Sequence, residues 1–274
     1  MPLARADLES LLRTRRLDRT LTTALPPDDA ARPDGIRPGS MVRDEAVVAA
    51  TGLEVLDARL SGGFPRGQLS EIVGPRSAGR TSVMLHLLAT ATSRGELVAI
   101  VDALDMFDVE SAEASGIDLD RVLWIRGHVV TNPGMCRDMN QRALEQAIRA
   151  FTLVLQAGNF GVVVFDVAEA PRDAIRRLPF TTWLRLQRLI EGSQTTGILI
   201  GSEAMARSSA GLTLQLGLRD AGLTSGTGLR GLGVGIRFHG ALFDGLDVDA
   251  RVVRARARYQ EQHDVRVPLS TACA

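Results

Sequence analysis

Gly74-Pro75-Arg76-Ser77-Ala78-Gly79-Arg80-Thr81-Ser82 is the stretch whose residue types and spacing are suited to chemistry. It follows Glu71-Ile72-Val73 and leads into Val83-Met84-Leu85-His86-Leu87-Leu88. A strand ending in a glycine loop that opens an apolar helix is therefore expected. The spacing is that of the phosphate-binding loop G-x-x-x-x-G-K-[ST], with Arg80 at the lysine position. The glycines let backbone N–H groups turn inward around phosphate oxygens, and the helix N-terminus adds the positive end of its dipole. Gly74 to Ser82 is the expected nucleotide-contact set. Arginine is longer and planar, so it is not a conservative swap for a point charge threading a tight loop. The chain contains no lysine, however, and all 32 basic residues are arginine. That compositional bias weakens any argument that arginine was chosen over lysine at this one position.

The elements around the loop alternate. A strand over Leu69–Val73 precedes it, and a helix over Thr81–Ser93 follows, ending at Arg94-Gly95, a good C-cap. Leu97 to Asp102 reads as a second strand with an acidic end, followed by helical sequence near 108–115, a turn at Gly116 and a strand over Val122–Ile125. Leu144, Ile148, Phe151 and Leu155 step by four, three and four, which is one buried face of a long helix over 137–157. Gly161 to Asp166 is a continuous apolar run ending in aspartate, the mark of a central parallel strand. Helical sequence after Pro171 breaks at Pro179 and resumes through Trp183, Leu186 and Ile190, before a strand from Gly197 to Glu203. The expected class is α/β, with a mostly parallel sheet flanked by helices.

Beyond residue 210 the rhythm changes. Leu212 to Arg219 and Leu246 to Arg258 alternate with period two, separated by a region with nine glycines from Gly217 to Gly245. These segments are expected as antiparallel strands added at the C-terminal end of the sheet. Four parts result: an N-terminal helix over 1–24, a proline- and glycine-rich linker over 25–48, the core over 49–265 and a tail over 266–274. The helix is arginine-rich and weakly apolar, and it reads either as an arm packed on its own domain or as a helix that docks on another subunit.

Composition narrows the function classes. Net charge is zero, so nothing pulls the whole chain toward nucleic acid or membrane, and any such contact needs a local patch. Arg254, Arg256 and Arg258 offer one, on one face of a strand with Val253, Ala255 and Ala257 opposite. They read either as a charged edge that blocks aggregation or as a phosphate or partner contact. Cys136 and Cys273 have no zinc or disulfide spacing, and His86, His128, His239 and His263 are scattered. No apolar run approaches a membrane span, and Asp7, Glu9 and several arginines stand where a signal core would be. A cytoplasmic protein is expected.

Thr51-Gly52 through Val73, the loop Gly74–Thr81, the strand to Asp102 and Gly116-Ile117-Asp118-Leu119-Asp120 resemble the ATPase core of the RecA recombinase family. Gly74-Pro75-Arg76-Ser77-Ala78-Gly79-Arg80-Thr81, Leu123-Trp124-Ile125-Arg126 and Arg177-Leu178-Pro179-Phe180-Thr181-Thr182-Trp183 look most like the ImuA branch, RecA-like accessories of error-prone translesion polymerases. The resemblance implies a RecA-like fold and an ATP and magnesium site, with Thr81 and Asp166 as the metal residues. It also implies degradation. The glutamate that polarises water falls at Leu104, leaving the shorter, displaced Asp105 as a weak catalytic candidate, and the glutamine that senses phosphate falls at Ser202. Nucleotide is therefore expected to bind weakly or not at all. The resemblance further implies a role in DNA damage tolerance, with a Y-family-like polymerase homologue, an error-prone polymerase and RecA as partners. DNA contact would be weak at most, and self-association would run through the N-terminal helix. A slow ATPase that cycles a repair partner is the alternative, and a small-molecule P-loop kinase is a weaker third.

Overall fold

A computed structural model describes residues 47–128, 137–218, 235–239, 242–255 and 265–270, all within the unit Glu45–Ala274. The N-terminal helix, almost all of the linker, both cysteines, Arg256 and Arg258 lie outside the described residues.

Nine strands form the main sheet: β3 (Gln68–Val73), β4 (Val98–Asp102), β5 (Val122–Arg126), β6 (Val162–Asp166), β7 (Thr196–Gly201), β8 (Leu212–Leu218), β9 (Gly235–His239), β10 (Leu242–Ala255) and β11 (Val265–Ser270). Their order is β11-β10-β8-β3-β7-β6-β4-β5, with β9 on β10. A two-stranded ribbon, β1 (Val48–Ala49) with β2 (Phe64–Pro65), precedes them. The helices are α1 (Glu54–Arg59), α2 (Arg80–Ser93), α3 (Val109–Ala114), α4 (Arg137–Ala157), α5 (Arg172–Arg176) and α6 (Phe180–Ile190).

The continuous apolar runs become central strands because both of their faces are covered. Ile72, Ile100, Val164 and Ile200 pack with α2 residues such as Val83, Leu87 and Leu88. Their neighbours Ala99, Val101, Val163 and Leu199 pack with Leu144, Ile148 and Phe151 of α4 and with Trp183 and Leu186 of α6. Phe165 joins this second layer through rings centred 5.2 Å from Phe151 and 6.4 Å from Trp183.

The α/β reading and the added antiparallel strands hold, with differences in direction and extent. β8 runs parallel to β3, Ser70 opposite Leu212, and the antiparallel pairing begins only at β10. Period-two alternation marks a strand with two unlike faces but carries no information about its partner's direction. The expected tail supplies β11, which pairs with β10 and buries Val267 and Leu269. At the other end the ribbon begins at Val48, inside the expected linker. At the start of the expected alternation over 253–258 the register shifts between Val252 and Arg254, leaving Val253 exposed beside exposed Arg254. Such an irregularity re-aims side chains within a strand.

Candidate functional site

Parallel strands bring their C-terminal ends to one edge of the sheet, and there the chemistry collects. Val73 lies opposite Gly201, and Asp102 opposite Asp166. A cleft of about 640 Å3 opens at this edge, lined among others by Arg76, Ser77, Gly79, Arg80, Thr81, Ser82, Asp102, Leu104, Asp108, Asp166 and Glu169. Most of the expected contact set thus shares one cavity. Pro75 borders a smaller adjoining recess with Ser202, while Ala78 is buried in the core.

The loop is shaped by its backbone. Ser77 (φ 62°) and Gly79 (φ 83°) are left-handed, and Gly79 immediately precedes α2. A side chain on Gly74 would meet the Leu216 carbonyl oxygen at 2.4 Å, so β8 seats the start of the loop. The first N–H groups of α2 have no partner within the helix, an arrangement that suits an anion.

Arg80 does not reach along the loop as an unpaired cation. Its guanidinium donates to Glu169 Oε1 at 2.9 Å and to the Ala168 carbonyl at 3.5 Å, and it is buried. Arg76 donates to the other oxygen of the same carboxylate, Oε2, through Nε at 3.0 Å and through Nη2. The Arg76 hydrogen bonds, and then those of Arg80, hold the Glu169 carboxyl below the usual glutamate range. Glu169 stands three residues past Asp166 and is a site residue the sequence reading did not single out.

The remaining carboxylates divide by role. Asp102 is buried and accepts from the N–H groups of Leu104 (3.3 Å) and Phe107 (2.7 Å) and from Trp124 Nε1 (3.4 Å). It holds the loop after β4. Asp105, the weak catalytic candidate, is left-handed (φ 60°) and takes both arms of Arg126 at 2.6 and 2.7 Å. Arg126 lies 4.7 Å over the Trp124 ring, and Asp105 is not among the residues lining the cleft. The Arg126 hydrogen bonds keep Asp105 below the usual range, a weak proton acceptor. Asp166 remains on the cleft wall. Burial, opposed by the hydrogen bond from the Ala168 N–H (2.9 Å), pushes its carboxyl up to about 6.

ATP with magnesium fits this wall in part. The loop N–H groups and Thr81 suit phosphates and a hydroxyl-ligated magnesium, and Asp166 suits a water-mediated contact. The cation at the lysine position is already countered by Glu169. Of the patch at the C-terminal end, Arg254 is exposed and donates to the Arg207 carbonyl.

The sequence profile of the RecA N-terminal domain matches residues 36–176, just over half of the chain. The chain belongs to the RecA N-terminal domain family. Among curated RecA proteins, that of Clavibacter michiganensis subsp. michiganensis is 36% identical over 163 residues, 58% of this chain and 41% of that protein. That of Salinispora tropica is 37% identical over 134 residues, 48% of this chain and 34% of that protein. This RecA-family chain thus spans about two fifths or less of the length of these relatives. The crystal structure of the RadB recombinase shares the fold, with a TM-score of 0.55 and 18% identity, covering 82% of this chain and 97% of that one. Among the described residues, no helix is long and apolar enough to cross a membrane.

Proposed function

We propose that this RecA-family protein is a non-hydrolysing accessory in DNA damage tolerance, acting by protein–protein contact in the manner of ImuA. Its partners would be a Y-family-like polymerase homologue, an error-prone polymerase and RecA, and it would act in the cytoplasm. The observation that supports this reading best is the arrangement of carboxylates around the cleft. Asp102 is committed to three donors and Asp105 to Arg126. Glu169 is committed to Arg76 and Arg80. Activation of water needs an acceptor within reach of the proton it takes; these three are engaged elsewhere, Asp108 caps α3, and Asp166 is the residue read as holding magnesium.

Two electrostatic deficits add up. A lost transition-state donor of this kind is typically worth roughly 10²–10³-fold in rate, and the missing general base adds to it. The expected result is no ATP turnover above a buffer blank, with or without single-stranded DNA, in wild type and in Arg80→Lys alike. Turnover that vanishes in Asp166→Ala would favour the slow ATPase instead. Pull-down of the polymerase homologue and of RecA tests the positive half of the proposal, and failure to retain either removes it.

A further inference from the structure

Two arginines of the phosphate loop converge on one internal carboxylate. The Arg80 side chain is 7% exposed, that of Glu169 24% and that of Arg76 79%. All three border both the cleft and the adjoining recess. Glu169 belongs to the segment after β6, 89 residues from Arg80, where the backbone hydrogen bonds of Val167 to Ile200 and of Ala170 to Val167 hold a tight turn. The guanidinium that a terminal phosphate would engage is therefore already paired.

We propose that Glu169 is a tethered competitor for the terminal phosphate of a polyphosphate ligand, exchanging with it on Arg76 and Arg80. Buried Arg80 cannot be left uncompensated, because an unpaired buried charge is strongly disfavoured. The carboxylate therefore leaves only as the phosphate arrives. A phosphate offers charge-assisted, two-pronged acceptance and matches the arginine fork as well as a carboxylate does. Exposed Arg76 makes the first contact, and buried Arg80 follows. Occupancy of the loop is thereby coupled to release of residues 167–171, which carry Asp166's acceptor contact at Ala168 and lead into α5. The inference rests on reading the loop as a phosphate site, not on the partner contacts.

Calorimetric titration of the full chain with inorganic triphosphate, and separately with ATP, tests it. An internal competitor lowers apparent affinity by what it costs to displace it, so Glu169→Gln is expected to bind triphosphate about tenfold more tightly than wild type. Asp108→Asn is the control, because it neutralises another carboxylate on the cleft wall that caps α3 and that asparagine caps equally well. A gain equal to that of the control would be a general charge effect and would overturn the exchange. So would tighter binding confined to ATP, since the competition is for phosphate alone. Reciprocity requires that triphosphate raise amide hydrogen exchange over 167–171 in wild type and leave it unchanged in Glu169→Gln; equal exchange in both also overturns it. Thermal melts confirm that the variants are folded. If neither protein binds either ligand, the exchange is wrong and the accessory proposal stands. If wild type turns over ATP, the accessory proposal fails and the exchange is still decided by the triphosphate comparison.

Discussion

Asp166 carries a charge that its surroundings oppose. With its carboxyl raised from the usual value of 3.8 to about 6, the native state binds more protons than the unfolded chain between those limits. Stability from this group therefore falls as pH rises from about 4 to 6 and stays at its lower level above 6. Asparagine keeps the acceptor for the Ala168 N–H and removes the charge. Asp166→Asn is expected to stabilise the protein at pH 7 by up to about 3 kcal/mol and to have little effect near pH 4. Urea titrations at both pH values check this, and a difference that does not depend on pH would contradict it. Glu71 is a fully buried carboxylate with its hydrogen-bond contacts met. It accepts from the N–H groups of Met205 (2.7 Å) and Ala206 (2.8 Å) and from the Thr213 hydroxyl (2.8 Å). Glu71→Ala strands these donors and leaves a void, at an expected cost of about 3–5 kcal/mol. Glutamine can keep both N–H contacts through its oxygen and reverse the third toward the hydroxyl, so Glu71→Gln should lose only about 1 kcal/mol. Equal losses in the two would mean that volume, not hydrogen bonding, sets the requirement.

At the scale of elements, the phosphate loop is packed from outside by the last strands of the sheet. An added Cβ on Gly79 would lie 2.5 Å from Leu269 Cδ1 of β11 and 3.0 Å from Val248 Cγ2 of β10. Gly95 has the same φ of 83° but its nearest neighbour, Arg121 Nη1, would be 3.9 Å away. Both alanine substitutions bear the left-handed strain of roughly 1 kcal/mol, and only Gly79→Ala adds overlap, worth about 1–3 kcal/mol more. The expected order in thermal melting is wild type, then Gly95→Ala, then Gly79→Ala well below both. Adding Leu269→Ala to Gly79→Ala should cost less than Leu269→Ala alone. Simple additivity would show that β11 does not press on the loop.

For the molecule as a whole, the elements of the core among the described residues begin at Val48. Arg66 ties the entry to the sheet, donating to Glu96, to the Gln194 carbonyl (2.8 Å) and, through Nε, to the Val48 carbonyl (3.3 Å). Its own N–H bonds the Val47 carbonyl at 2.9 Å. Every residue of this network remains when residues 1–45 are removed, and the melting temperature is then expected to stay within a few degrees of wild type. On the proposed reading, with the first residues as a docking arm, self-association or RecA binding is then lost, as read by light scattering on a sizing column and by pull-down. Unchanged association would move the contact to the strand bearing Arg254, and aggregation would make the first residues part of the core.

Much of this architecture is written locally. A continuous apolar run such as Val162–Phe165 is compatible only with burial on both faces, and the steps between Leu144, Ile148, Phe151 and Leu155 only with one buried helix face. The loop from Gly74 to Thr81 is legible because its glycines and its flanking strand and helix are contiguous in the chain. What the tertiary structure decided is what meets across distance. The pairing of Arg80 with Glu169 spans 89 residues, and that of Asp105 with Arg126 spans 21. The first follows from β7 alone separating β3 from β6, and the second from β5 flanking β4; strand order leaves no trace in any single segment's periodicity. The direction of β8 and the recruitment of residues 265–270 into β11 are of the same kind. A strand's partner is chosen by the shape of the whole sheet, whereas its two faces are set by its own alternating side chains.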